Sequence, residues 1–472
     1  MYVQPVLRCF SLLTSLEANF MVQVNIPTTS EAAVKQCIEN IERWNPYINA
    51  IVTLDAEAAM EAARRADALT QSGRASGLLH GVPILVKDNI DTAGLRTTYA
   101  SGFFKDHVPD QDATVVRRLR EAGAIILGKV TLHEFAFGVR SNNPVIGQCR
   151  NPWNPARIPG GSSGGSGAAI AAGMAPLALG TDTGGSVRVP ASLNGVCGLR
   201  PTVGRVSNHG CMPVSATHDT IGPLARTVPE LARLFSVMAG FDPHDHVSER
   251  QEVGNLLVDM HAGIKGLRIG IPSNHYFDGV DSEVAYAVQE AMRVLESLGA
   301  LMVPITVDGA QTAHAYATTM IYSDACAVHE ERLAQPDERW LPATLERMQM
   351  GLQYTGRDYA RALRAREAWC RSLEDVFSSV DVILSPTSPT VAPPIEDGRS
   401  LFEATRAVTQ NTYAGAFGKL PGLSVPCGFS SDGMPIGLML EAAPWREATL
   451  FRAGVAYQNQ TDWHLRQPAL PA

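Results

Sequence analysis

An α/β fold is predicted by three features of this chain. Short, β-branched apolar runs alternate with helix-period segments from one end to the other. Nothing repeats at a fixed period, and the 472 residues, 45% of them hydrophobic, suffice for one large core. Thr29 or Ser30 is the expected N-cap of a first helix, in which EAAVKQCIENIERW places Ala33, Cys37, Ile38 and Ile41 on one face. A second helix is expected over 56–70, and together these form a helical lead-in over 29–75.

The catalytic core is expected over 76–240. GVPILVKDNI (81–90) and AIILGKVTL (124–132) read as buried strands, with a helix over 113–122 between them. After Gly167, AAIAAGMAPLALG is almost wholly small and apolar, which predicts a helix buried on all sides running into a strand at 177–180. Residues 241–266 are polar and aperiodic, but LRIGIP (267–272) then resumes as a core strand, so the segment is an excursion from one domain rather than a linker. Helices over 281–298, 343–351 and 357–376 fall in a variable region, 241–380. Strands DVILSP (381–386), LSVPCGF (423–429) and IGLMLEA (436–442) build the C-terminal core over 381–472. Residues 1–28 form an N-terminal extension, and Met21 is an alternative start.

A formal charge of -8 without a long basic run excludes nucleic acid as the main partner, because phosphate binding needs clustered Lys and Arg. Eight cysteines show neither a CxxC pair nor zinc-finger spacing, which points to a reducing, cytoplasmic setting without structural metal. Cys427, in VPCGF, reads as a buried filler. No apolar run reaches the roughly 20 residues of a membrane span, and the N-terminus is a poor secretory signal, so no stable membrane association is expected.

The segment IPGGSSGGSGAAIAAGMAPLALGTDTGGSVRVP (158–190) sets two glycine-framed serines, Ser162 and Ser186, on either side of one small-residue helix. Such glycines mark tight turns or close approach to a bound group. A phosphate-cradling loop fails for want of the lysine that a P-loop requires. A nucleophile elbow at Ser163 matches GxSxG, but NPWNPARIP precedes it where a hydrophobic strand should. A third reading joins both serines to Lys87.

On this third reading the chain resembles the amidase signature family from Thr29 to the C-terminus. GVPILVKDNI around Lys87, NPWNPARIPGGSSGGSGAA around Ser162 and LGTDTGGSVRVPASLNGVCGLRPT around Ser186 carry the resemblance, with LPGLSVPCGFSSDGMPIGLMLEA near the end. It implies a large twisted mixed β-sheet covered by helices on both faces. It also implies a cis Gly161–Ser162 bond and a Ser-Ser-Lys triad, in which Ser186 is the nucleophile, the Ser162 hydroxyl relays the proton, and Lys87 is the base. The backbone N–H groups of Thr183, Gly184, Gly185 and Ser186 are the implied oxyanion hole. Asp182 and Arg188 are expected as buried supports of the turn, and Ser163 as a supporting hydroxyl.

A lysine is a base only when neutral, so its ordinary pKa of about 10.4 must fall through burial. The apolar run ahead of Lys87 permits this, and strand alternation turns Asp88 the other way. The expected reaction is hydrolysis of a C–N bond through an acyl-enzyme, with no cofactor and no metal.

Two functions share this chemistry. One is a stand-alone hydrolase, monomer or homodimer, cleaving small-molecule aryl or acyl amides, with carbamates (urethanase activity), ureas and esters as further substrates. The other is the glutaminase-type subunit of a tRNA-dependent amidotransferase. In such subunits an acidic residue before the LPG turn helps hold glutamine, whereas this chain has Thr409 there, which favours the stand-alone hydrolase. Loops 135–143, 211–217 and 313–356, the last with Tyr316, Tyr322, Trp340 and Tyr354, are expected to line the pocket.

Overall fold

The computed structural model describes residues 29–75 and 77–469; the N-terminal extension and the alternative start at Met21 lie outside the described residues. Eleven strands form one sheet: β1 (Ile51–Leu54), β2 (Pro83–Lys87), β3 (Ile125–Val130), β4 (Leu177–Asp182), β5 (Cys197–Arg200), β6 (Thr220–Ala225), β7 (Arg268–Pro272), β8 (Leu301–Ile305), β9 (Val382–Pro386), β10 (Gly422–Phe429) and β11 (Pro435–Ala442). Their spatial order is β1-β3-β2-β4-β6-β5-β10-β11-β9-β7-β8. β2 runs parallel to both β3 and β4, and β7 parallel to β8 and β9, while the remaining pairs are antiparallel. The sheet is therefore mixed, as expected.

Helices cover both faces, which is why the central strands are apolar at every position rather than alternating. β2 is buried throughout. Ile84 and Val86 pack into the cluster under Val228–Met238 and Glu447–Gln458, while Leu85 packs with Ser30–Ile48 and Gly164–Ala171 on the other face.

The first helix, Ser30–Ile48, starts at Thr29, whose hydroxyl accepts from Ala32 N. Its buried stripe is Val34, Cys37, Ile41 and Ile48 rather than one containing Ala33 and Ile38, because tertiary packing selects the larger Val34. The small-residue helix begins at Gly164, earlier than expected. Its glycines admit neighbouring backbone: a Cβ on Gly165 would lie 2.4 Å from Thr131 O. The aperiodic stretch 241–266 holds one short helix, Leu256–Asp259, and feeds Leu256, Met260 and Ile264 into the same core as β7.

Several elements escaped the sequence reading. The helix Ala310–Val328 carries almost no amphipathic contrast, because its exposed face includes Ala315, Tyr316 and Ala327 while its buried face includes His314 and Thr318. β8 is a half-exposed edge strand whose apolar content gives no period. No helix among the described residues is long and apolar enough to cross a membrane. The seven described cysteines are free, and Cys427 is buried as expected.

Candidate active site

Parallel pairing sets the C-terminal ends of β2 and β4 side by side, and side chains from sheet ends of this kind converge on one crevice. Lys87, the last residue of β2, is fully buried. Its Nζ lies 2.7 Å from Ser162 Oγ and 2.6 Å from Thr181 Oγ1. Burial lowers the Lys87 pKa to about 7, against the opposing pull of Cys211, Asp182 and Asp219. Asp88 turns away, as alternation requires, and accepts from the Thr98 N–H at 3.0 Å and the Thr98 hydroxyl at 2.5 Å.

Ser162 follows a cis bond from Gly161 and precedes the helix Gly164–Ala171. Ser163 N donates to Ser186 O at 3.2 Å, which ties the two serine segments together. The Ser163 hydroxyl is committed to the backbone of Thr181, donating to its carbonyl at 3.1 Å and accepting from its N–H at 3.2 Å. The Ser166 hydroxyl donates to Leu179 O at 2.8 Å. Lys87 and Ser162 are thus joined side chain to side chain, Ser163 serves the scaffold, and half-buried Ser186 is tied to this segment through its backbone carbonyl.

The turn Thr183–Val187 joins β4 to the helix Arg188–Asn194. Gly185 has φ +139°, and a Cβ there would meet Thr412 Oγ1 at 2.3 Å; one on Gly184 would meet the Tyr413 ring at 2.5 Å. Only glycine fits either position. The expected oxyanion set is narrowed, because Gly185 N–H donates to Asp182 Oδ1 at 2.7 Å. Among the described residues, the N–H groups of Thr183, Gly184 and Ser186 have no acceptor.

Asp182 also accepts from Val187 N at 3.1 Å, and it pairs with Arg188 Nε and Arg200 Nη1, each at 3.1 Å. All three side chains are buried, and the two guanidinium groups overcome the desolvation of Asp182, holding its carboxyl far below the usual range. Arg188 reaches on to Glu441 Oε1 at 3.1 Å and Thr412 O at 3.0 Å. Asp182 and Arg188 therefore brace the turn from behind, and Arg200 and Glu441 join them without having been foreseen.

Facing the turn is an aromatic wall that sequence reasoning only outlined. Tyr413 abuts Gly184, and His314 stacks on Tyr413 with ring centres 4.2 Å apart. Burial lowers the His314 pKa to about 4, so its ring is neutral, and its Nε2 has no partner among the described residues. Arg347 is 4% exposed yet has no carboxylate within 4.0 Å among the described residues. It donates from Nε to Tyr322 OH at 2.5 Å and from Nη1 to Phe137 O at 2.8 Å. Of the four aromatics named from sequence, Tyr322 and Trp340 are buried in this wall, Tyr354 is half-buried against it and Tyr316 is 38% exposed. Thr181, Asp219, Arg347 and Tyr413 carried no signal of their own in the sequence, although Thr181 lies inside the LGTDTGGS motif.

A mixed sheet whose parallel ends hold a desolvated lysine on a serine, beside a glycine turn with free N–H groups, defines a hydrolase of the amidase class. The chain belongs to the amidase signature family, whose model, Amidase, matches residues 32–451. It is similar to a glutamyl-tRNA(Gln) amidotransferase subunit of Chloroflexus aurantiacus, 39% identical with 94% of this chain and 95% of the relative covered. Among solved structures it is similar to an s-triazine catabolic enzyme from a vestigial protein complex, at 33% identity and a TM-score of 0.87, covering 92% of this chain and 95% of that one. It is also similar to the corresponding glutamyl-tRNA(Gln) amidotransferase subunit of Thermotoga maritima, at 30% identity and a TM-score of 0.82, covering 94% and 95%.

These relatives correct two expectations. Those at 36% to 41% identity over more than nine-tenths of this chain bear the name of an amidotransferase subunit. That overturns the preference for a stand-alone small-molecule hydrolase drawn from Thr409. It likewise overturns the expectation of a small-molecule amide as sole partner, with no link to nucleic acid and a monomer or homodimer as the assembly. The physical reason is that one side chain at one subsite weighs little against similarity spread over the whole sheet and its helices.

Proposed function

We propose that this chain is the amide-cleaving subunit of a tRNA-dependent amidotransferase, releasing ammonia from the side-chain amide of glutamine. The observation that carries this reading is the full-length similarity to glutamyl-tRNA(Gln) amidotransferase subunits. A continuous sheet from β1 to β8 supports one domain over 29–472.

In the proposed course, neutral Lys87 draws a proton through Ser162 as Ser186 attacks the amide carbon. The N–H groups of Thr183, Gly184 and Ser186 receive the oxyanion, each such donor contributing about 3 kcal/mol to the transition state. The relay returns its proton to the departing nitrogen, and water attacks the acyl-enzyme by the same route. Arg347, desolvated and without a counter-ion, is the group that receives the substrate carboxylate. Thr409 spends its hydroxyl on Thr405 O at 2.7 Å and offers no carboxylate to the substrate amine.

The test is ammonia release from glutamine by the full chain, alone and with whatever tRNA-binding protein co-purifies with it. Glutamine hydrolysis that rises when the partner is added is the expected result. A chain that purifies alone and leaves glutamine intact under every condition would overturn the reading.

A further inference from the structure

A cavity of about 180 Å³ opens beside the site, and Thr181, Thr183 and Asp219 all line it. Asp219 is 9% exposed, and its carboxylate spans two segments. Oδ1 accepts the Thr183 hydroxyl at 2.5 Å, while Oδ2 accepts Val214 N at 2.8 Å and Ser215 N at 2.9 Å. The Thr183 so held supplies one of the three free N–H groups of the turn, and the Thr181 nearby is the second partner of Lys87.

We infer that Asp219 is a positioning residue for the reaction: it fastens the oxyanion turn through Thr183 and sets a negative charge beside the Lys87–Thr181 pair. The inference rests on the Lys87–Ser162–Ser186 reading proposed above. A staple alone would need only the Thr183 contact. Asp219 is in addition one of three acidic groups, with Cys211 and Asp182, that oppose the desolvation of Lys87 when ionised. Asp182 is neutralised by two arginines, and burial pushes the Cys211 thiol up, which keeps it uncharged at neutral pH. Asp219 is left as the adjustable charge. Burial raises its own pKa to about 6, against the Thr183, Val214 and Ser215 hydrogen bonds and the field of Arg200. His209, His244, Asp245 and His246 also line the cavity, so the Asp219 carboxylate shares it with these ionisable side chains.

The sign of the effect is fixed. A negative charge stabilises protonated Lys87, so removing it lowers the Lys87 pKa and moves the ascending limb of the pH–rate profile to lower pH. The experiment compares wild type, Asp219→Asn and Thr183→Val by thermal melting and by pH profiles of kcat. The substrate is p-nitrophenyl acetate, which needs relay and turn but no particular acyl group. Asp219→Asn is expected to move the limb down by at least half a pH unit and to lower kcat about tenfold. Thr183→Val, which keeps the charge, is expected to lower kcat with a smaller displacement. An unmoved limb in folded Asp219→Asn, full kcat in Thr183→Val, or failure of both Asp219→Asn and Asp219→Ala to fold would overturn the inference. Full activity in Lys87→Ala would instead sink the relay reading on which it rests.

Discussion

The glycine-rich floor of the site, 158–190, and the aromatic wall facing it, 310–417, are built in opposite ways. The floor uses small residues and backbone, so its geometry is set by neighbours in sequence: Gly185 N–H on Asp182, Ser163 on Thr181, a helix starting two residues after Ser162. The wall uses large side chains brought from far apart, such as Arg347 on Phe137 O and His314 on Tyr413. On the function proposed above, the floor holds the reacting atoms and the wall meets the part of the substrate that does not react, so that chemistry and selectivity separate in space.

The largest effect expected is at the floor. Ser186→Ala should lower turnover by roughly four orders of magnitude or more while the melting temperature stays put, because only the attacking oxygen is lost. Residual turnover near wild type would remove Ser186 from the comparison.

Breaking the brace behind the floor should act on stability instead. Asp182→Asn leaves Arg188 and Arg200 buried with one partner fewer, a change expected to cost about 3 to 5 kcal/mol in chemical denaturation. A small loss would mean that Glu441 carries the pair.

At the wall, Arg347→Met keeps apolar bulk against Phe137 and Tyr322 but removes the charge. It should raise KM for glutamine about tenfold or more while leaving p-nitrophenyl acetate cleavage near wild type. Equal losses on both substrates would erase the division between floor and wall.

The smallest effect is expected at Thr409→Val, an isosteric change that forfeits one helical hydroxyl bond to Thr405 O, for about 1 kcal/mol or less. A large KM change there would make Thr409 a substrate contact.

In the wild type and in the variants that keep Lys87 and Ser186, activity should rise with pH through about 7. Lys87 works as a base only when deprotonated, and burial has lowered its pKa to that value.

The motifs around Lys87, Ser162 and Ser186 were legible in the sequence because each lies inside a short segment whose residue types dictate the local backbone, and strand alternation was enough to separate Lys87 from Asp88. The α/β class was legible for the same reason, since alternating short runs reveal their period locally. Long-range packing, by contrast, settled which face of the first helix is buried, that Arg347 packs on Phe137 and Tyr322, and that Tyr413 stands over the turn at Gly184. Those outcomes depend on contacts between residues scores or hundreds of positions apart, such as Arg347 with Phe137 or Arg188 with Glu441, and no local periodicity encodes such pairings. The helix Ala310–Val328 was missed because its exposed face, with Ala315, Tyr316 and Ala327, is little more polar than its buried one.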